Sequence, residues 1–564
     1  MIFYSSVLIV INMYKISYAH GSSTTPLLGE TIGQNLKRTV EKFGNSEALV
    51  VPYQNYRANY SEFWDQTTQL AKSLIAQGVK KGDRVGIWSP NRYEWVVTQY
   101  ATSRMGAILV NINPAYRPVE LKYALKQSGV SLLLMSKGFR QTNYIDILSQ
   151  VRSDCVQLHK VFVIDHDWYT LLEAAEEISD QQLAEIENSL QFDDAVNIQY
   201  TSGTTGFPKG ATLSHHNILN NGYFIGERLN YSEKERVCIP VPFYHCFGMV
   251  LANLAITSHG ACMVVPGEAF EPEAVLKTVK NEKCTSLYGV PAMFIAELEH
   301  PNFNKYDYSS LHTGIMAGAS CPVKAMTEVI EKMNMKDVQI CYGMTETSPV
   351  STQTMSDDPI EKRVSTVGKV LDHVEIKIID KDNGEIAPVG THGELCTRGY
   401  SVMLKYWANE EATASVIDEA GWMHTGDLAV MDEEGYVKIT GRIKDMILRG
   451  GENIGPLEIE EYLRTHEAIS DVHVIGVPSY KYGEEVMAWV KLKEGKIVTE
   501  KELTEYCKGQ IATFKIPKYW KFVDSFPITV TGKIRKVEMR EISAKELGLD
   551  SENLRGEFKF IDEN

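Results

Sequence analysis

Residues 196–210 read VNIQYTSGTTGFPKG, a strand-like run that gives way to ten residues of glycine, hydroxyl side chains and a single lysine. Gly203, Gly206 and Gly210 let the backbone turn its N–H groups towards one centre. Thr201, Ser202, Thr204 and Thr205 add hydroxyl donors, and Lys209 adds a positive charge. Such a loop is a phosphate cradle. It is not a Walker loop, because no GK[ST] follows the glycines and the next segment, ATLS, reads as a strand before any helix. A mobile polar hairpin loop is the competing reading, but a bias sustained over ten residues and closed by Pro208, Lys209 and Gly210 favours the cradle.

Upstream, RVGIW from Arg84, the helical stretch NRYEWVVTQYATSRMG and the apolar run AILVNIN give the strand, helix, strand order of a parallel α/β layer, with further strands expected at SLLLM and KVFVID. Residues 173–194 hold eight acidic residues and no Lys or Arg, while Leu172, Ile178, Leu183, Ile186 and Leu190 give a helix or helix pair one apolar edge. The charge run is read as a solvated face. Over residues 364–440, VEIKIID, GELCTRG and GYVKITG alternate with DNG, PVG and EEG turns, which predicts a small antiparallel β unit. Beyond Arg442 come an amphipathic segment with Ile459, Tyr462 and Leu463 on one face, the strands VHVIGV and VMAWVKL, and a helix opened by the capping box of Thr499 and Glu502, with Leu503, Tyr506 and Cys507 on one side. This is a separate α+β domain of about 120 residues.

The 564 residues suit about four compact units at roughly 150 residues each. With 44% hydrophobic and 23% charged residues, the composition is that of a globular chain and not a disordered, collagen-like or membrane one. Setting 57 Lys plus Arg against 73 Asp plus Glu gives −16, the wrong sign for a surface that attracts nucleic acid as a whole. The nine cysteines contain no CxxC pair and suit free thiols in a reducing compartment. The opening MIFYSSVLIVINM is shorter than the roughly 20 residues of a membrane span. It carries no basic residue ahead of its apolar run, and the first arginine is Arg38, so the cellular address stays open between mitochondrion and cytoplasm.

Five further blocks follow the loop in order: FYHCFG at 243–248, YGMTE at 342–346, TGD at 425–427, GRIKDMILRGGENI at 441–454 and TVTGKIRK at 529–536. Together with TSGTTGFPKG they resemble the adenylate-forming superfamily of acyl-CoA synthetases, aryl-CoA ligases, luciferases and peptide-synthetase adenylation domains, over about residues 29–549. Within it, SYAHGSS, NPAY, KGATLSHHNILNN, MNMKD, SPVSTQ, GYSVMLKYW and CKGQIATFKIPKY are similar to mitochondrial medium-chain acyl-CoA synthetases. The resemblance implies an N-terminal segment at 1–28, a large α/β domain with its associated β unit at 29–441, and a mobile α+β domain at 442–564 hinged at Lys444. It implies an ATP-dependent ligase of a medium-chain fatty acid and coenzyme A, with Mg²⁺ accompanying ATP, small-molecule substrates, no nucleic acid, no integral membrane span and a mitochondrial matrix address.

The resemblance also assigns roles. Residues Thr201, Ser202, Gly203, Thr204, Thr205, Gly206, Phe207, Pro208 and Lys209 hold phosphates. Tyr342 and Gly343 face adenine, Thr345 the α-phosphate, Glu346 the metal, and Asp427 with Arg442 the ribose. His245 gates the carboxylate channel, and Phe247, Gly248, Met249, Val290, Gly318, Ala319, Ser320 and Met344 shape the acyl pocket. Lys533 bridges the carboxylate and α-phosphate, and Gly450 and Gly451 let the CoA arm pass close to backbone. Gly455 departs from the pattern, standing where related ligases carry a larger residue. Two other readings share part of these features: a luciferase-like or aryl-acid ligase, and an ATP-binding protein without turnover. The lysine at 533 argues against the second, since binding alone needs no partner for a carboxylate.

Overall fold

The computed structural model describes residues 15–201, 208–319, 321–449, 452–479, 482–528 and 534–549. The apolar runs around the loop form a seven-stranded sheet in the order Lys405–Tyr406, Lys209–Ser214, Ala195–Thr201, Ile108–Asn111, Arg84–Trp88, Leu132–Met135 and Lys160–Val163. From Ala195–Thr201 to Lys160–Val163 every neighbouring pair is parallel. Parallel strands are covered on both faces, which is why AILVNIN and SLLLM read as unbroken apolar runs. A second sheet of nine strands runs from Lys369–Val370 to Tyr56–Asn59, and its interior, from Asp337–Gly343 through Glu47–Val51, is again parallel.

Helix Tyr93–Met105 touches strands of both sheets and is buried at every residue from Glu94 to Met105. Its polar residues survive burial because they are bonded. Thr98 and Thr102 donate to carbonyls one turn back, Gln99 donates to the Met249 carbonyl, and Tyr100 donates to that of Asn253. The acidic stretch 173–194 is not purely a solvated face. The buried Arg104 guanidinium reaches out of that helix to Glu187 at 2.7 Å, with Trp64 stacked 3.5 Å beneath it.

The small antiparallel unit is a five-stranded sheet in the order Tyr18–His20, Val374–Ile379, Gly393–Gly399, Met423–Met431 and Val437–Arg442. Its edge strand Tyr18–His20 lies within the leading segment of the chain. After Arg442 a short turn, Ile443–Asp445, leads to the last unit, where Gly483–Leu492 pairs with Ile469–Ser479, Ile447–Arg449 and Tyr519–Phe522. The capping box at Thr499 and Glu502 is formed. Helix Pro456–Arg464 buries Ile459 and Leu463, and also Glu460, a carboxylate that meets Lys536 at 2.7 Å and Arg464 at 3.8 Å. Glu460 ties helix Lys536–Glu546 to the domain, and these cations hold its carboxyl below the ordinary range despite burial. Among the described residues no helix is long and apolar enough to cross a membrane.

Candidate active site

The phosphate loop is a hairpin connection. Thr201 and Lys209 are cross-strand partners, so Ala195–Thr201 and Lys209–Ser214 lead out of and back into one sheet. Ser202, Gly203, Thr204, Thr205, Gly206 and Phe207 lie outside the described residues. On the far side of Lys209–Ser214, strand Lys405–Tyr406 pairs through Ala211 and Tyr406. The Lys209 ammonium stands 5.0 Å from the centre of the Tyr406 ring, and the Tyr406 hydroxyl donates to Glu346 Oε1 at 2.7 Å. Three sequence-distant residues are thereby linked: the loop lysine, an aromatic ring and the carboxylate expected to meet metal.

Glu346 lies in the short turn Thr345–Thr347, just past the end of strand Asp337–Gly343, and is 5% exposed. Gly343 has to be glycine, since a Cβ there would fall 1.7 Å from the Pro349 carbonyl oxygen. The donor chemistry at Glu346 suits Mg²⁺, which takes one or two carboxylates and fills its remaining positions with water and phosphate oxygens. Thr345 is buried beside it.

Asp427 sits on strand Met423–Met431, and both of its oxygens have partners. Tyr342 Oη donates to Oδ2 at 2.7 Å, and Arg442 Nε pairs with Oδ1 at 3.0 Å across the ladder. Each carboxylate oxygen has capacity for one further bond, as two ribose hydroxyls require. Burial, with the Asp427 charge beside it, raises the Tyr342 phenol well above its ordinary value and keeps it a donor. Gly426 turns the chain here with φ +70°. Its N–H donates to Glu394 Oε1 at 3.0 Å, and Thr425 Oγ1 donates to the Leu395 carbonyl at 2.6 Å, so the neighbouring strand positions the turn.

His245 is half-buried at the entrance to a π-helix, Phe247–Leu254, an irregularity frequent at functional sites. Its Nδ1 accepts from the Phe247 N–H at 3.2 Å. Phe247, Met249 and Val290 all belong to the large buried core of the N-terminal region, against which Tyr342 also packs. A Cβ on Gly318 would touch the Val290 side chain at 3.2 Å, so two of the residues expected at the acyl pocket are neighbours. Ala319 is exposed, Met344 is half-buried, and Ser320 lies outside the described residues. Met249 is turned inward, where its sulfur accepts from Gln199 at 2.8 Å and Asn111 at 3.2 Å. A glycine is required at 248, as a Cβ there would lie 2.4 Å from the Pro242 carbonyl oxygen.

Lys444 occupies the turn between the β unit and the last domain. Asp445 beside it pairs with Arg540 at 3.0 Å. Gly455 caps helix Pro456–Arg464, and a Cβ there would meet the Thr440 carbonyl oxygen at 3.3 Å, across the domain junction. Lys533, Gly450 and Gly451 lie outside the described residues. Sequence reasoning missed Tyr406, Glu394 and the pair Glu460 and Lys536. Tyr406, Glu394 and Lys536 fall within GYSVMLKYW, GELCTRG and TVTGKIRK, but nothing in those runs points to their partners, which lie far away in sequence.

The profile of the AMP-binding enzyme family matches residues 36–407, and that of the AMP-binding enzyme C-terminal domain matches residues 458–533. The putative acyl-CoA synthetase YngI of Bacillus subtilis is 47% identical, covering 93% of this chain and 99% of its own. The mitochondrial medium-chain acyl-CoA ligase ACSF2 of Danio rerio is 43% identical, with 94% and 91% covered. The crystal structure of the anthranilate CoA ligase AuaEII with anthranoyl-AMP superposes with a TM-score of 0.83 at 26% identity, over 93% of this chain and 99% of that one. These matches over nearly the whole length show the family: the chain is a member of the AMP-binding enzyme family, among its AMP-forming acyl-CoA ligases.

Proposed function

We propose that the chain joins a medium-chain fatty acid to coenzyme A through an acyl-AMP intermediate. The observation that carries the adenylate half is Asp427, held from both sides by Tyr342 and Arg442 with acceptor capacity to spare. The medium-chain substrate is supported by the relative of that name at 43% identity.

A carboxylate is a poor acyl donor because its leaving group would be oxide. In the first step a carboxylate oxygen attacks the α-phosphorus of ATP, the bond to pyrophosphate breaks, and a mixed anhydride with AMP forms. Two anions must meet, so catalysis rests on charge neutralisation. In this reading the hairpin loop and Lys209 hold the β- and γ-phosphates, Thr345 the α-phosphate, and Lys533 bridges the attacking carboxylate and the α-phosphate. Mg²⁺ held by Glu346 supplies further neutralisation of the triphosphate when bound. His245 lines the channel through which the carboxylate arrives.

In the second step the CoA sulfur attacks the anhydride carbonyl, AMP leaves with the bonding pair, and the thiol proton passes to solvent. The domain after Arg442 turns about Lys444 between the steps and brings Gly450 and Gly451 to the CoA arm. The mitochondrial matrix is the proposed location, in line with the ACSF2 relative.

The test is pyrophosphate release with ATP, Mg²⁺ and CoA over saturated acids of increasing length, with the thioester identified by mass. A maximum among medium chains is expected; equal turnover with palmitate contradicts the substrate. An aryl-acid ligase is the second reading, favoured by the AuaEII superposition, and turnover with aromatic acids alone would select it.

A further inference from the structure

Beneath the turn that carries Asp427, on the small five-stranded sheet, three side chains of different donor type converge. Glu394 Oε2 lies 3.2 Å from His424 Nδ1, and Cys396 Sγ lies 3.6 Å from the same nitrogen. One donor atom from each residue falls within 4.8 Å of the other two. Cys396 and His424 are ladder partners on adjacent strands, so the backbone fixes their separation. We propose that Glu394, Cys396 and His424 bind a zinc-class divalent cation.

The spacing is close to what such an ion needs. Bonds of about 2.3 Å to sulfur and about 2.1 Å to nitrogen and oxygen, at tetrahedral angles, put N···O at about 3.4 Å and S···N at about 3.6 Å. A thiolate and an imidazole select zinc, cobalt or copper over the Mg²⁺ that accompanies ATP.

With Nδ1 on the metal, the other ring nitrogen faces Asp418, whose Oδ2 lies 3.9 Å from Nε2, an ion-pair distance and not a hydrogen bond. Asp418 is itself anchored, its Oδ1 accepting from the N–H groups of Ala420 and Trp422. Cys396 is fully buried at the floor of the site, while the His424 side chain is 34% exposed and opens it to solvent. Binding exchanges the Cys396 thiol proton, released to solvent, for the metal. The fourth position falls to water.

The place matters because Glu394 has two tasks. Its second oxygen accepts from the Gly426 N–H, so a metal on Glu394 sits one hydrogen bond from the residue preceding Asp427. None of the three residues is among those assigned to ATP, the acid or CoA.

Cobalt(II), whose thiolate complexes absorb by charge transfer, is the probe. Titrated into the full chain, it should give one bound ion with a thiolate-to-cobalt band, displaced by Zn²⁺ and unaffected by excess Mg²⁺. Cys396→Ser should abolish the band, and His424→Gln should weaken cobalt binding at least tenfold. No band in the unaltered chain, or a band that persists in Cys396→Ser, overturns the proposal. If Cys396→Ser does not fold, the more exposed His424→Gln decides: unchanged cobalt affinity in a folded His424→Gln protein also overturns it.

Discussion

The Tyr406 hydroxyl donates to Glu346 Oε1 at 2.7 Å while the same ring lies 5.0 Å beneath the Lys209 ammonium. One buried tyrosine thus sits between the loop lysine and the carboxylate proposed to hold Mg²⁺. Hydrogen bonds to a charged acceptor contribute roughly 1.5 to 3 kcal/mol, and losing one leaves Glu346 free to rotate. Tyr406→Phe keeps the ring under Lys209 and removes the donor. Pyrophosphate release should fall about tenfold or more, with a raised Mg²⁺ requirement, as a Mg²⁺ titration would read. An unchanged Mg²⁺ profile would separate Tyr406 from the metal.

At the ribose end, Asp427→Ala should weaken ATP binding about ten- to a hundred-fold, the cost of losing a charged acceptor. Tyr342→Phe removes one of the two bonds that hold Asp427 and should have a smaller effect of the same kind. Glu346→Gln should instead raise the Mg²⁺ requirement. Calorimetric titration of ATP against the three variants distinguishes them, and equal losses in all three would dissolve the division of roles.

His215 makes stability depend on pH. It is fully buried at the start of helix His215–Arg228, its Nδ1 accepts from the Ile32 N–H at 3.2 Å, and Nε2 has no hydrogen-bond partner among the described residues. Burial pushes its pKa down to about 4 from an ordinary 6.5. Between those values the unfolded chain takes up a proton that the folded chain refuses, so stability is full above pH 6.5 and falls as pH drops towards 4. The loss attributable to this group is about 3 kcal/mol. Chemical denaturation at neutral pH and at pH near 5 should show a shallower decline in His215→Gln; parallel declines would clear His215.

The layered α/β fold was legible because parallel strands buried on both faces leave unbroken apolar runs, as at residues 108–111 and 132–135. Helix Tyr93–Met105 was legible as a helix but not as an element between two sheets, since its burial depends on Thr98, Gln99 and Thr102 finding acceptors elsewhere. The site shows the same division. Lys209 closes a loop whose composition carries chemistry, whereas Glu346 and Asp427 read locally as turn residues and are lifted above that only by the shared order of the motifs. Tyr406 stands in no such motif, and its role appears only when the hairpin brings strand Lys405–Tyr406 beside Lys209–Ser214. The acidic run is largely the solvated face its composition suggested, and Glu187 is an exception because Arg104, which it meets, lies far upstream in a helix that gives no sign of a buried charge.

The two half-reactions should separate genetically. Lys533 meets a charge problem that exists only while acyl-AMP is made or reversed, so Lys533→Ala should lose adenylation and still convert supplied acyl-AMP and CoA to thioester. Lys444→Pro fixes φ in the turn Ile443–Asp445 and should do the opposite, retaining adenylation and losing thioester formation. A folded Lys533→Ala protein that failed with acyl-AMP, or a Lys444→Pro protein that ran both steps normally, would contradict domain alternation.

The claim on which the rest depends is that the acid passes through an anhydride with AMP. A medium-chain acid carrying heavy oxygen at both carboxylate positions, turned over with unlabelled ATP and CoA, tests it by mass analysis of the products. Attack of the carboxylate on the α-phosphorus predicts that one labelled oxygen of each acid leaves in AMP and the other stays in the thioester. Label in pyrophosphate, or AMP with none, would contradict the account.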